Sequence, residues 1–142
     1  MFVDTHCHLT MLNLEPYGGD LDAAIQQARD AGVSKMMGIS VDLDDHIALS
    51  EMAARHADVG YSVGVHPCED QAVMQRATVE TLVDLAQSDK VWAIGETGLD
   101  YFHSTEFVAE QKACFARHIQ ASKIVKKPVV VHTRSSKTDT ID

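Results

Sequence analysis

Five short apolar runs rich in β-branched residues recur along the chain, and a stretch of helical periodicity separates each from the next. The runs predict strands over Phe2–Thr5, Val33–Ile39, Val59–Val65, Val91–Gly95 and Pro128–Val131. Leu21, Ala24, Ile25 and Ala28 keep the i, i+3, i+4, i+7 spacing of a helix, with Asp20 placed to cap it and Gly32 to end it. Leu49, Met52 and Ala53 form the next stripe, and Val79, Leu82, Val83 and Ala86 follow Thr78. Val108, Phe115 and Ile119 share one side of a longer helix from Thr105 to about Lys126. This alternation, with strands as continuously apolar as VWAIG and PVVVH, implies an α/β fold: a parallel sheet covered on both faces and joined by right-handed crossovers. Two architectures satisfy it, an open doubly wound sheet and a closed (β/α)8 TIM-type barrel. The segment THCHLTMLNLEPYGGD after the first strand has no GxGxxG, which a dinucleotide-binding sheet would carry there. No linker or low-complexity stretch interrupts the chain, so residues 1–142 read as a single domain.

The polar residues that end the strands narrow the choice. His6 and His8 follow the first strand, His66 the third, Glu96 the fourth and His132 the fifth. Parallel strands present their C-terminal ends at one face, where barrels carry their chemistry, so residues far apart in sequence converge there. His6 and His8 are i and i+2, which places both imidazoles on one side of an extended segment. Imidazole with carboxylate is the donor set of Zn, Mn or Fe rather than Ca. A single histidine at a strand end is more often a hydrogen-bonded loop residue than a ligand; four strand ends of ligand type on one face are not readily a coincidence. His46, His56 and His118 fall in helices, where exposure or helix-end interactions account for them, and His103, beyond the fourth strand, reads as structural.

Twelve basic against 21 acidic residues give a formal charge of −9, so non-specific adhesion to nucleic acid or anionic membrane is not expected. Cys7, Cys68 and Cys114 are odd in number and form no CxxC pair, as free thiols of a reducing compartment do. The N-terminus lacks the pattern of a signal peptide and no window is apolar enough to span a membrane, so a cytoplasmic location is expected. Cys68 neighbours His66, but Glu69 and Asp70 beside it oppose an activated thiol; Cys7 should point away from the two histidines into packing. No GxSxG elbow or Walker loop is present, and Asp42, Asp44, Asp45, Glu69 and Asp70 read as solvated caps and loops.

Four motifs remain: VDTHCHL at residues 3–9, GVHP at 64–67, IGETGLDY at 94–101 and KPVVVHTRS at 127–135. In order and spacing they resemble the TatD family of metal-dependent deoxyribonucleases, within the amidohydrolase superfamily of barrels. The resemblance covers the whole chain, and IGETGLDY is its most specific element. It implies two divalent metal ions, Mg, Mn or Zn, at the strand ends, and hydrolysis of phosphodiester bonds, often as a 3′ exonuclease on single-stranded DNA. Carried over residue by residue, His6 and His8 bind the first metal, Glu96 bridges both as the catalytic carboxylate and His132 binds the second. A carboxylate suits the bridge because each of its oxygens can face one cation. His66 and Arg134 become phosphate contacts, Arg134 suited to two oxygens at once, and Tyr101 either stacks on a base or packs. Two divalent cations, four positive charges, would cut the charge of −9 nearly in half where an anionic substrate must sit. Dihydroorotase- and phosphotriesterase-type barrels instead place a carboxylated lysine at the Glu96 position, and phosphatases of the polymerase-and-histidinol type share only the HxH start.

The family pattern continues with a further histidine and a metal-binding aspartate that this sequence does not contain. His8 and His132 are four strand–helix units apart, about 31 residues each, in line with the roughly 250 residues of such barrels. The expectation is therefore an N-terminal portion of about four and a half units, with weakened nuclease activity. Its open sheet edges should favour self-association. The alternative is a non-catalytic metal-binding half-barrel that pairs with itself or another chain.

Overall fold

In the computed structural model, which describes residues 1–142, five strands form one parallel sheet. They are β1 (Phe2–Cys7), β2 (Val33–Gly38), β3 (Val59–Val63), β4 (Val91–Asp100) and β5 (Val129–Arg134), in the spatial order β1-β2-β3-β4-β5. That order decides between the two architectures. A doubly wound sheet reverses direction at a switch point, whereas here every crossover steps the same way, as in a (β/α)8 barrel. The fold is half of such a barrel with helices on its outer side.

The helices are α1 (Leu21–Asp30), α2 (Asp45–Arg55), α3 (Gln71–Arg76), α4 (Val79–Leu85), α5 (Val108–Val125) and α6 (Lys137–Ile141). Asp20 caps α1 by accepting the Asp22 N–H, as the spacing predicts, and Thr78 caps α4 by accepting the Thr81 N–H. Ile25, Leu49, Met52 and Leu82 from these helices close on Val59, Tyr61 and Ile94 of the sheet. Burying such side chains stabilises the helix-on-sheet layer by roughly 1.5–3 kcal/mol each. The third connection holds two short helices where one was expected. No helix is long and apolar enough to cross a membrane.

Two expectations are corrected. The fourth strand does not stop at Gly95 but continues to Asp100, because Thr97, Gly98, Leu99 and Asp100 pair with Val131, His132, Thr133 and Arg134 of β5. Glu96 and His132 thus lie inside paired strands, not beyond them. The glycines of IGETGLDY permit this: Gly98 has φ +143°, and a Cβ there would meet the His132 carbonyl oxygen at 2.0 Å. The second correction concerns α5. Val108, Phe115 and Ile119 are only half-buried, and the buried face is Gln111, Cys114, His118 and Ala121. Two of these four are polar because they serve strand ends. The Gln111 amide brackets the Asp100 backbone, and His118 Nε2 accepts the Val65 N–H at 3.0 Å.

Candidate metal centre

Glu96 sits at the middle of the candidate site and is 6% exposed. One carboxylate oxygen, Oε2, lies 3.2 Å from His6 Nε2 and 3.9 Å from His8 Nε2. The other, Oε1, lies 3.2 Å from His132 Nδ1, which is in turn 3.1 Å from His66 Nε2. Two ligand groups result, His6–His8–Glu96 and His66–Glu96–His132, each with donor atoms within 4.8 Å of one another. The sheet explains the convergence. β4 and β5 stay paired out to Asp100 and Arg134, His6 lies near the end of β1, His8 follows β1 directly, and His66 stands three residues past β3.

The hydrogen bonds around the histidines fix which nitrogen faces inward. His132 Nε2 lies 2.9 Å from Asp100 Oδ2, so the neutral ring carries its proton there and presents a lone pair at Nδ1. That lone pair stands 3.2 Å from a carboxylate oxygen of Glu96, two acceptors side by side, with His66 Nε2 at 3.1 Å as the neighbouring group that can donate to it. The buried Nδ1 of His8 has no hydrogen-bond partner. Nitrogen and oxygen donors, with both Glu96 oxygens engaged by different histidines, fit divalent metal.

His66 has the opposite polarity. Its Nδ1 accepts the Cys68 N–H at 3.1 Å, so the neutral ring holds its proton on Nε2, pointing into the site as a donor. Burial, and then the neighbouring His132, hold its pKa below the usual histidine value. Arg134 lies over the Phe102 ring at 3.9 Å and makes no salt bridge, leaving its guanidinium edge free. Tyr101 donates its hydroxyl to Asp139 at 2.8 Å, and Lys112 holds the same carboxylate at 2.6 Å. This bonded network ties Tyr101 to α6.

Asp100, completely buried, is the member of this cluster that the sequence pattern did not single out. Burial pushes its pKa up, but the His103 backbone and ring, His132 and Cys68 outweigh that with hydrogen bonds and bring it well below the usual carboxylate range. Its signal was present in the period-two spacing Glu96, Gly98, Asp100, which places both carboxylates on one face of β4. His103, read as structural, lies 2.9 Å from Asp100 Oδ2. His118, read as surface or helix-end, is fully buried, and burial pulls its pKa down to about 4. His56 does cap the end of α2, held by Asp22 and Arg29. The Asp42 carboxylate accepts the N–H groups of Asp44 and Asp45, the turn role expected of that cluster. Cys68 is no nucleophile: burial, then the hydrogen bond and charge of Asp100, push its thiol up to about 11. Cys7 points away toward the Met37 carbonyl.

The family profile described as "TatD related DNase" matches residues 3–142. The metal-dependent hydrolase YcfH of Escherichia coli K12 is 34% identical, the alignment covering 98% of this chain and 51% of the relative. The crystal structure of the TatD homologue YjjV from Escherichia coli K12 superposes with a TM-score of 0.81 at 24% identity, covering 98% of this chain and 53% of that one. A Shigella flexneri protein named 3′-5′ ssDNA/RNA exonuclease TatD is 29% identical over 88% of this chain and 48% of its own. The chain spans about half the length of the curated relatives it matches.

Proposed function

This chain belongs to the family of TatD-related DNases, and from that premise we propose that its strand-end cluster is part of the active site of a hydrolase that cuts phosphodiester bonds of single-stranded DNA from the 3′ end. The observation that carries the reading is the division of the Glu96 carboxylate, with Oε2 toward His6 and His8 and Oε1 toward His132. An exonuclease name on a relative that is 29% identical supports the choice of substrate.

In this reading His6, His8 and Glu96 would hold one divalent cation, and Glu96 and His132 would hold a second. When bound, such ions supply Lewis-acid charge at the phosphoryl oxygens and acidify a water so that it becomes a nucleophile near neutral pH. The protein's own groups do the rest. Asp100 keeps the His132 lone pair aimed inward. The Nε2–H of His66 donates to a phosphoryl oxygen, and Arg134, stiffened by its stack on Phe102, offers two parallel N–H groups to the same phosphate.

The test is release of nucleotides from 3′-labelled single-stranded DNA by the purified chain with Mn2+, compared with Glu96→Gln and with chelator. Label loss that depends on metal and on Glu96 supports the reading; no metal binding by calorimetry, or equal label loss in chelator, overturns it. The second reading, a metal-binding half-barrel without turnover, draws on the edge strand β1, where Phe2 and Val3 are exposed. It predicts metal binding that does not lead to label loss.

A further inference from the structure

Beside the histidine cluster, on the far side of Asp100, lies a second constellation with different chemistry. Cys68, on the loop after β3, places Sγ 3.3 Å from Asp100 Oδ2 and 3.5 Å from His103 Nδ1, while His103 Nδ1 is 2.9 Å from the same oxygen. We propose that Cys68, Asp100 and His103 form a separate site for a thiophilic divalent cation of the Zn(II) class.

The argument starts from donor spacing. A tetrahedral Zn(II) with thiolate sulfur at about 2.3 Å and nitrogen and oxygen at about 2.0–2.1 Å keeps its ligand atoms roughly 3.4–3.6 Å apart. The three observed separations need widening by no more than about half an ångström to reach that geometry. Thiolate and carboxylate together carry two negative charges, which neutralise a divalent ion inside the site.

Pre-organisation comes next. The anchoring carboxylate is completely buried and cannot swing away, because Oδ1 accepts the N–H groups of Phe102 and His103 at 3.0 and 2.9 Å. Its Oδ2 retains a lone pair for metal while taking the His132 N–H with the other. Cys68 and His103 are both exposed, so an ion can enter from solvent. A cavity of about 170 Å3, bounded also by Glu69, Ser104 and Phe107, adjoins the three residues and leaves room for water as the fourth ligand. The site shares no ligand with the histidine cluster, and its sulfur sets it apart from that cluster's nitrogen and oxygen donors.

The sulfur also supplies the test. Co(II) added to the reduced full chain should produce a near-ultraviolet sulfur-to-metal charge-transfer band. Cys68→Ser should abolish that band, His103→Asn should weaken binding, and Cys114→Ser and Glu96→Gln should both leave the band in place. Absence of the band in the wild-type chain, its survival in Cys68→Ser, or its loss in Glu96→Gln would each overturn the proposal. Circular dichroism of every variant separates loss of the site from loss of the fold.

Discussion

His132 and Asp100 meet across adjacent strands, with Nε2 2.9 Å from Oδ2, because the β4–β5 register sets His132 opposite Gly98, two residues from Asp100. The carboxylate therefore decides which nitrogen of the ring faces Glu96. Removing its charge while keeping its shape, as Asp100→Asn does, should lower affinity for Mn2+ at the histidine cluster about 10- to 100-fold. Calorimetric titration measures this directly, and an unchanged affinity would show that the ring needs no such support.

Glu96 is the only carboxylate within reach of both histidine groups. Glu96→Gln keeps one oxygen and replaces the other with an N–H2 donor, which repels a cation. The two Mn2+ binding events of the wild type should therefore both vanish in the variant. If one survives, the cations do not share Glu96 and the bridging role fails.

Much of this centre was legible because parallel strands bury apolar runs and open into polar residues, so His6, His8, Glu96 and His132 stood out against VWAIG and PVVVH. What could not be read depended on register. The stretch Glu96–Thr97–Gly98–Leu99–Asp100 keeps a period of two but lacks the apolar run that marks a buried strand, yet it pairs with β5 and is buried, and only that pairing gives Asp100 its task. The same holds for α5, whose inward face carries Gln111 and His118 because the ends of β4 and β3 have backbone groups to satisfy.

His118 should make stability depend on pH. Its ring is buried and neutral, Nε2 accepting from Val65 and Nδ1 donating to the Cys114 carbonyl at 2.7 Å, and its pKa is lowered to about 4 chiefly by burial, then by Arg117. The group is depressed in the folded state, so the stability it contributes is present above its unfolded value near 6.5 and is lost as pH falls toward 4. His118→Leu strands the Val65 N–H and should cost about 1–3 kcal/mol at pH 7. Urea melts should show that difference shrinking at pH 4.5, where only the wild type must exclude a proton. A constant difference across this range would mean that His118 titrates normally.

Gly98→Ala should be poorly tolerated. Its φ of +143° excludes most side chains, and the added Cβ would lie 2.0 Å from the His132 carbonyl oxygen, which is backbone and cannot rotate aside. The strands must part where His132 is held, so thermal melting should reveal a loss of at least about 1–3 kcal/mol together with weaker metal binding. Full stability in this variant would show that β4 and β5 are less closely joined.

The sheet ends on both sides in strands with one neighbour each, and β1 carries Phe2 at 69% and Val3 at 56% exposure. An apolar strand with free N–H and C=O groups is a template for another strand, and edge lysines are the usual protection against it. The purified chain is therefore expected to associate, with the mass seen by light scattering rising with concentration. Val3→Lys places a charge on that edge and should shift the distribution toward monomer without changing Mn2+ affinity, since Val3 lies outside both ligand groups. A wild-type chain that stays monomeric at the highest concentration reached would remove β1 as an association surface.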